Sequence, residues 1–359
     1  MYYNQKVDFH SHYLPPTYYR FLEEYEGDPY GFPTKWTEQG HLALMDKLGI
    51  AFSFISVSTP NLSSADKETE IKLAHQINIE GAQLVNKHPD KLGLMAALPL
   101  PHTKEAVDEA RFAIEELKAD GFALSTNYAG IYLGNEKYDK LMDYLDSIAA
   151  VVAVHPAKPS AVPQDVNEYL PIPAFEFLVD TTRTFSNMVM HNIFEKYPNI
   201  KWIFPHGGAF ISTLSDRING FATMFREWMD KPVPIDFKAD MKHVYFDLAG
   251  FPVSKQIHDL LIDVSVDNLL YGSDAPYTPN IACVSQTGAL EKYADLSEDQ
   301  KNVIFTANAV KLFPRLADIL NVGIKGHTVC YTDKPLSVEE RANRNIRCFI
   351  SKVYSKIFK

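Results

Sequence analysis

Short apolar runs recur along the chain, each followed by a longer stretch with helical spacing, and that alternation is the signature of parallel βα units. Eight runs fit strands: residues 7–10, 52–58, 92–98, 121–125, 150–155, 200–206, 244–248 and 268–274. Eight such units predict an α/β protein built as a closed (β/α)8 TIM barrel. The intervening helices are amphipathic. The stretch 70–87 carries Ile71, Ala74, Ile77, Leu84 and Val85, and 104–118 carries Val107, Ala110, Ile114 and Leu117. Such stripes pack an outer layer of helices against the barrel.

Three connections are long for their class. Residues 13–36 form an insertion after the first strand that is rich in tyrosine, proline and glycine, 156–173 is rich in proline, and 277–280 follows the last strand. All three leave the carboxyl end of a strand, the face on which barrel enzymes place their chemistry, so they are expected to frame a pocket mouth. Length alone permits one large barrel or two smaller domains for 359 residues that are 46% hydrophobic. The pattern favours a barrel over 1–322 and a helical carboxyl-terminal extension over 323–359. That extension is basic: Arg341, Arg344, Arg347, Lys352, Lys356 and Lys359 stand against Glu339 and Glu340. The simplest reading is an amphipathic tail helix or an oligomer arm.

Charge narrows the partners. A net charge of −10 argues against nucleic acid, which needs a basic stripe, and leaves small molecules as the expected ligands. Cys283, Cys330 and Cys348 are odd in number and lack the paired spacing of a zinc knuckle or redox motif, so they read as reduced thiols. The segment MYYNQKVDFHSH has no apolar leader, and no stretch approaches the roughly 18 apolar residues of a membrane span. A cytoplasmic protein that meets no membrane is the expectation.

The first chemical signal is DFHSHYLPP, in which His10 and His12 are one residue apart at a strand end, so alternation sends both imidazoles to one side. Two converging imidazoles suit a divalent cation, which usually takes at least three protein ligands. Further candidates stand at other strand ends: His155 in VVAVHP, His206 in WIFPHGG and Asp274 in LLYGSDAP. A lone HxH is weak, but four strand ends carrying these residue types on one face of a barrel point to one divalent metal site. Asp8 shares the parity of the pair and has two readings, an orienter one layer deeper or a buried hydrogen-bonded aspartate. The other histidines read individually as core or surface residues.

With HSH at His10 and His12, VHP at His155, FPHGGAF at His206, TTRTFSNMVMHNIFEKYPNIKWIFPHGG entering that histidine, and GSDAPYTP at Asp274, the chain resembles a branch of the amidohydrolase superfamily. That branch, the amidohydrolase-related one, contains aminocarboxymuconate-semialdehyde decarboxylase and the nonoxidative hydroxybenzoate- and salicylate-type decarboxylases. The resemblance spans roughly residues 6–313. It implies metal ligation by His10, His12, His155 and Asp274, with His206 left unligated beside the metal as an acid/base. The implied reaction is nonoxidative decarboxylation of a small aromatic or muconate-like carboxylic acid, with Asp274 or His206 helping to protonate the ring carbon that carries the carboxylate. The alternative is metal-dependent hydrolysis of a lactone or amide. Three imidazoles and one carboxylate favour zinc, and manganese is the alternative because it suits a site that binds several substrate oxygens.

Arginines grip carboxylates in a fork, and Arg217 and Arg226 follow the HGGAF turn. Arg217 is similar to the position at which the semialdehyde enzyme presents an arginine from a neighbouring subunit, which implies a homodimer. Where that enzyme's other carboxylate-gripping arginine is expected, this chain has His41, and HGGAF has one glycine fewer. These departures favour a salicylate-like or benzoate-like substrate, with Tyr13, Phe175, Phe177 and Tyr277 as candidate aromatic walls, although each taken singly reads first as a core residue.

Overall fold

The computed structural model describes residues 5–26, 35–163, 169–224 and 235–321. Ten strands occur among them: β1 (Lys6–His12), β2 (Ile50–Ser56), β3 (Leu92–Ala97), β4 (Gly121–Ser125), β5 (Asn127–Tyr128), β6 (Ile131–Tyr132), β7 (Val151–His155), β8 (Lys201–Phe204), β9 (Tyr245–Asp247) and β10 (Leu269–Leu270). Eight of them form one parallel sheet in the order β1-β2-β3-β4-β7-β8-β9-β10. The segment after β10 returns to β1, where His12 N donates to Ala275 O at 2.8 Å and Phe9 N to Tyr271 O at 3.0 Å. The sheet therefore closes on itself as a (β/α)8 barrel, as the alternation predicts.

The barrel is filled from within. Val7, Phe9, Phe52, Phe54, Met95, Val151, Ile203, Tyr245 and Leu270 share one core cluster with Phe313 and Leu316, which come from beyond the last strand. Phe54 lies 4.6 Å from Phe9 and 4.5 Å from Phe313 between ring centroids, so stacked aromatics plug the lower barrel and leave its chemistry to the upper rim. Outside, the helix Lys67–Lys87 buries Ala74, Ile77 and Leu84 of its predicted stripe, while Thr103–Glu115 buries Ala110 together with Ala106 and Ala113 and leaves Val107 and Ile114 half-buried against the core. Asp66 caps the first of these by accepting from Glu68 N and Thr69 N, which starts it three residues before the periodicity does.

Several expected boundaries move. Strand β8 stops at Phe204 because Pro205 interrupts the ladder, so His206 begins a turn and does not end a strand. Strand β10 has two regular residues, and Asp274 lies beyond it. Within the insertion expected as a loop, Pro16–Phe21 is helical, with proline at the first helical position where its missing N–H costs nothing. Residues 27–34 of that insertion, residues 164–168, Arg226 and the extension 323–359 lie outside the described residues. Among the described residues no helix is long and apolar enough to cross a membrane.

A hairpin of β5 and β6, which periodicity does not reveal, is held to the helix Ile172–Met190 by fully buried Asp180. Its carboxylate accepts from Thr126 Oγ1, Asn127 Nδ2, Tyr132 Oη and Arg183. Removing the hub strands several buried donors, so Asp180→Ala is expected to cost about 3 kcal/mol or more in urea unfolding. A loss under about 1 kcal/mol would show that water replaces it there.

Candidate active site

Strand β1 delivers two ligand candidates through an irregularity. Its pairing with β2 shifts register between Asp8 and Ser11, so Val7 and Phe9 fill the barrel while His10 and His12 converge above it. Strand β7 brings His155, whose ring lies 5.2 Å from His10 and 4.9 Å from His12 between centroids. After β10 the chain turns through Asp274 at φ 58°, and Asp274 Oδ1 sits 3.4 Å from Nε2 of both His10 and His12. A Cβ at Gly272 would meet His10 Cβ at 2.7 Å, so glycine lets the two segments approach this closely. One ligand atom from each of His10, His12, His155 and Asp274 lies within 4.8 Å of the others.

Hydrogen bonds fix which nitrogen each imidazole offers. His10 Nδ1 lies 2.9 Å from Asp247 Oδ2, His12 Nδ1 lies 3.1 Å from Ser56 Oγ, and His155 Nδ1 lies 2.9 Å from Pro156 O. These partners assign Nδ1 as donor in the neutral rings and leave the Nε2 lone pairs facing inward. Nε2 of His10 and of His12 are buried with no hydrogen-bond partner. Orphaned acceptors are costly unless something electrophilic meets them. Three imidazole nitrogens and a carboxylate oxygen with no competing donor fit a divalent cation.

Electrostatics agree. Burial pulls His10 down, but Asp247 and Asp274 outweigh it and hold its pKa well above the ordinary value. Burial, reinforced by the charge on its neighbours, drives His155 well below. Burial also lowers His12, against the opposing pull of Asp274. Asp274 would be raised by burial, yet the three facing imidazoles hold it well below the carboxylate range. Shifts of opposite sign on adjacent buried imidazoles mark a cluster in which protons and a cation would compete for the same lone pairs.

His206 occupies a separate position. Its Nε2 is 3.9 Å from Asp274 Oδ2, the oxygen that also accepts from Thr278 Oγ1 at 2.9 Å, while Oδ1 faces His10 and His12. The structure thus brings His206 beside the donor set but outside the four mutually close atoms. A Cβ at Gly250, itself at φ +74°, would strike His206 Cδ2 at 2.6 Å, so a glycine wall backs the ring.

Asp247 escaped sequence reasoning. It orients His10 through Oδ2 and accepts His206 N at 3.1 Å and Ala249 N at 3.1 Å through Oδ1. The signal was available, a carboxylate ending the run YFD at a strand end, but β9 is three residues long and gives little periodicity. Asp8 resolves as a buried hydrogen-bonded aspartate: its carboxylate accepts His10 N at 3.1 Å and Ser273 N at 3.0 Å, joining β1 to the Asp274 segment. Burial raises its pKa to about 7.

The candidate walls divide. Tyr277 lies edge-on to His12 at 5.3 Å, and Phe177 to His155 at 6.3 Å. Tyr13 follows the core reading open to each of these aromatics: it is buried in the main core and its hydroxyl donates to Ile77 O at 2.8 Å. Phe175 is exposed beside Phe210. His41 is buried near Trp36, and burial together with the charge of His12 lowers its pKa to about 4. Arg217 is exposed on the helix Ile211–Met224, with its guanidinium over the Phe221 ring at 4.8 Å. A cavity that the sequence did not reveal opens beside His155, lined by Val57, Ser58, Leu62, Ala97, Leu98 and Tyr128 among others.

Eight parallel strands with three histidines and an aspartate gathered at their carboxyl ends define a barrel of the metal-site class. Comparison with known proteins agrees: residues 7–315 match the amidohydrolase family, and the chain belongs to it. Decarboxylase yanB of Aspergillus niger is 31% identical over 325 residues, covering 86% of this chain and 88% of that protein. The 6-methylsalicylic acid decarboxylase of Penicillium expansum is 29% identical over 324 residues, covering 88% and 98%. A crystal structure of an amidohydrolase II aligns with a TM-score of 0.81 at 38% identity, covering 86% of this chain and 99% of that one.

Proposed function

We propose that the protein is a metal-dependent nonoxidative carboxy-lyase acting on a small aromatic carboxylic acid of the salicylate type. The observation that carries this reading is the split use of Asp274, whose Oδ1 faces the ligand imidazoles while its Oδ2 faces His206. The named decarboxylases that align along nearly all of the barrel favour this reaction over hydrolysis.

His10, His12, His155 and Asp274 would hold one divalent cation, which when bound supplies a Lewis acid for the substrate's carboxylate and hydroxyl oxygens. Zinc suits the three imidazoles, with manganese as the alternative. His206 and Asp274 handle the proton. His206 donates from Nε2 to the ring carbon bearing the carboxylate, and the carbon–carbon bond then breaks with its electron pair returning to the ring as carbon dioxide leaves. Asp274 Oδ2, steadied by Thr278, faces the imidazole at 3.9 Å and lies beside the path of the transferred proton. Phe177 and Tyr277 flank the site and offer aromatic faces to a ring bound against it. His41 is the remaining substrate-facing candidate. Incubating metal-loaded protein with hydroxybenzoic acids tests the reading: carbon dioxide and the corresponding phenol support it, and ring-opened acids from lactones would replace it with hydrolysis.

Carboxylate recognition across a homodimer completes the proposal. Leu214, Arg217, Phe221 and Met224 share one exposed stripe of the helix Ile211–Met224, a face apolar enough to pack against a second copy. Arg217 would reach from there toward the partner's site, and Arg226 is the second arginine candidate. Light scattering is expected to give a dimer mass. Arg217→Ala is expected to raise KM roughly 10- to 100-fold, as loss of a charge-assisted hydrogen bond implies, with metal content unchanged. A fully active monomer would remove Arg217 from the site.

A further inference from the structure

We infer that Gln256 is the positioning residue for the His206 imidazole, acting through the backbone turn that carries it. The inference rests on the reading of His206 as the proton-transfer group. Each ligand histidine has its ring fixed by a partner at Nδ1, whereas His206 Nδ1 is buried with no hydrogen-bond partner. No side-chain hydrogen bond at that nitrogen aims the His206 ring, so its direction is set by its backbone, by the Gly250 wall and by Asp274 Oδ2 facing Nε2 at 3.9 Å.

That backbone is unusual. His206, Gly207, Gly208 and Ala209 have φ of 56°, 59°, 73° and 54°, four consecutive residues in the left-handed half of the map. For residues with a Cβ such conformations cost about 1–3 kcal/mol each and persist where the surroundings enforce them. The Gln256 side-chain amide nitrogen donates to the carbonyl of His206 and, at 3.0 Å, to that of Ala209, gathering the first and last residues of the turn at one atom. The glycines make room for this clamp. A Cβ at Gly207 would lie 3.1 Å from Gln256 Cδ, and one at Gly208 would strike Phe246 Cδ1 at 2.7 Å.

Two further ties hold the turn, Asp247 Oδ1 on His206 N at 3.1 Å and Thr182 Oγ1 on Phe210 N at 3.1 Å. Asp247 also orients His10, so replacing it would disturb the ligand set and the acid/base together. Gln256, on the helix Lys255–Asp263, has its two hydrogen bonds on this turn, so it separates the two functions. Loss of the clamp lets the turn relax and moves the imidazole by a fraction of an ångström to an ångström, enough to slow proton transfer sharply.

Gln256→Met preserves length and removes the donor. It is expected to lower kcat about 10- to 100-fold while KM stays within about twofold and metal content is unchanged. In a His206→Asn background the same substitution should have no further effect, because a residue that acts through His206 has nothing left to position. Equal kcat losses with and without His206, or a parental kcat for Gln256→Met, would overturn the inference. If Gln256→Met does not fold, Gln256→Glu carries the test: its kcat relative to the parent should rise as pH falls and the carboxyl regains a proton to donate, and a flat ratio would count against the clamp. Full turnover by His206→Asn alone would instead overturn the underlying reading of His206. A slow His206→Asn with a fast Gln256→Met overturns the clamp alone.

Discussion

His206→Asn keeps its metal and loses about 10² to 10⁴ in kcat, the range for removing a positioned proton-transfer group. The expectation follows from position. His206 Nε2 lies 3.9 Å from Asp274 Oδ2, while the four mutually close ligand atoms come from His10, His12, His155 and Asp274. Elemental analysis and steady-state kinetics on the same preparation check both halves. Asparagine that empties the site of metal would make His206 a ligand. Asparagine that leaves turnover intact would move proton delivery to Asp274.

His10→Ala and His155→Ala lose metal and activity together, with residual turnover near background. Each removes one of three imidazoles, and His10→Ala also strands the buried carboxylate of Asp247 without the ring it faces at 2.9 Å. Chelation of the parent protein should produce the same inactive state, reversed by zinc or manganese, whereas the alanine variants should recover little at equal metal concentration. Metal uptake should weaken as pH falls, because the neighbouring carboxylates hold the His10 pKa up and a proton there competes with the cation. Metal content in His10→Ala equal to the parent's would remove His10 from the ligand set.

Much of this site was legible in the sequence, though partly for a reason that differs from the physical one. Alternation correctly sends His10 and His12 to one side, but strict alternation from Val7 and Phe9 would have faced the pair outward. The register shift between Asp8 and Ser11 turns them in, and a bulge leaves no trace in hydrophobic period. His155 was the cleanest case because it ends a regular strand whose other residues pack as expected. His206 and Asp274 were found by their place after apolar runs, yet both stand on irregular backbone beyond short strands, so boundaries there were set too long. Tyr13 has two readings in the sequence, pocket wall or core, because a tyrosine in either place looks the same there, and its burial and its bond to Ile77 O decide for the core. Asp247 and Gln256 were missed because their roles lie in what their polar atoms reach across the fold, a long-range fact without a local pattern.

In the proposed reaction this chain removes carbon dioxide from an aromatic acid and places a proton where the carboxylate was. Incubating metal-loaded protein with 2-hydroxybenzoic acid and 2-hydroxy-6-methylbenzoic acid in deuterium oxide, with carbon dioxide and the phenolic product quantified together, follows both events at once. Carbon dioxide equimolar with a phenol carrying one deuterium at the former carboxyl carbon is the predicted result. Absence of carbon dioxide from a panel of hydroxybenzoic acids, with the same metal-loaded preparation hydrolysing a lactone or amide, would contradict it.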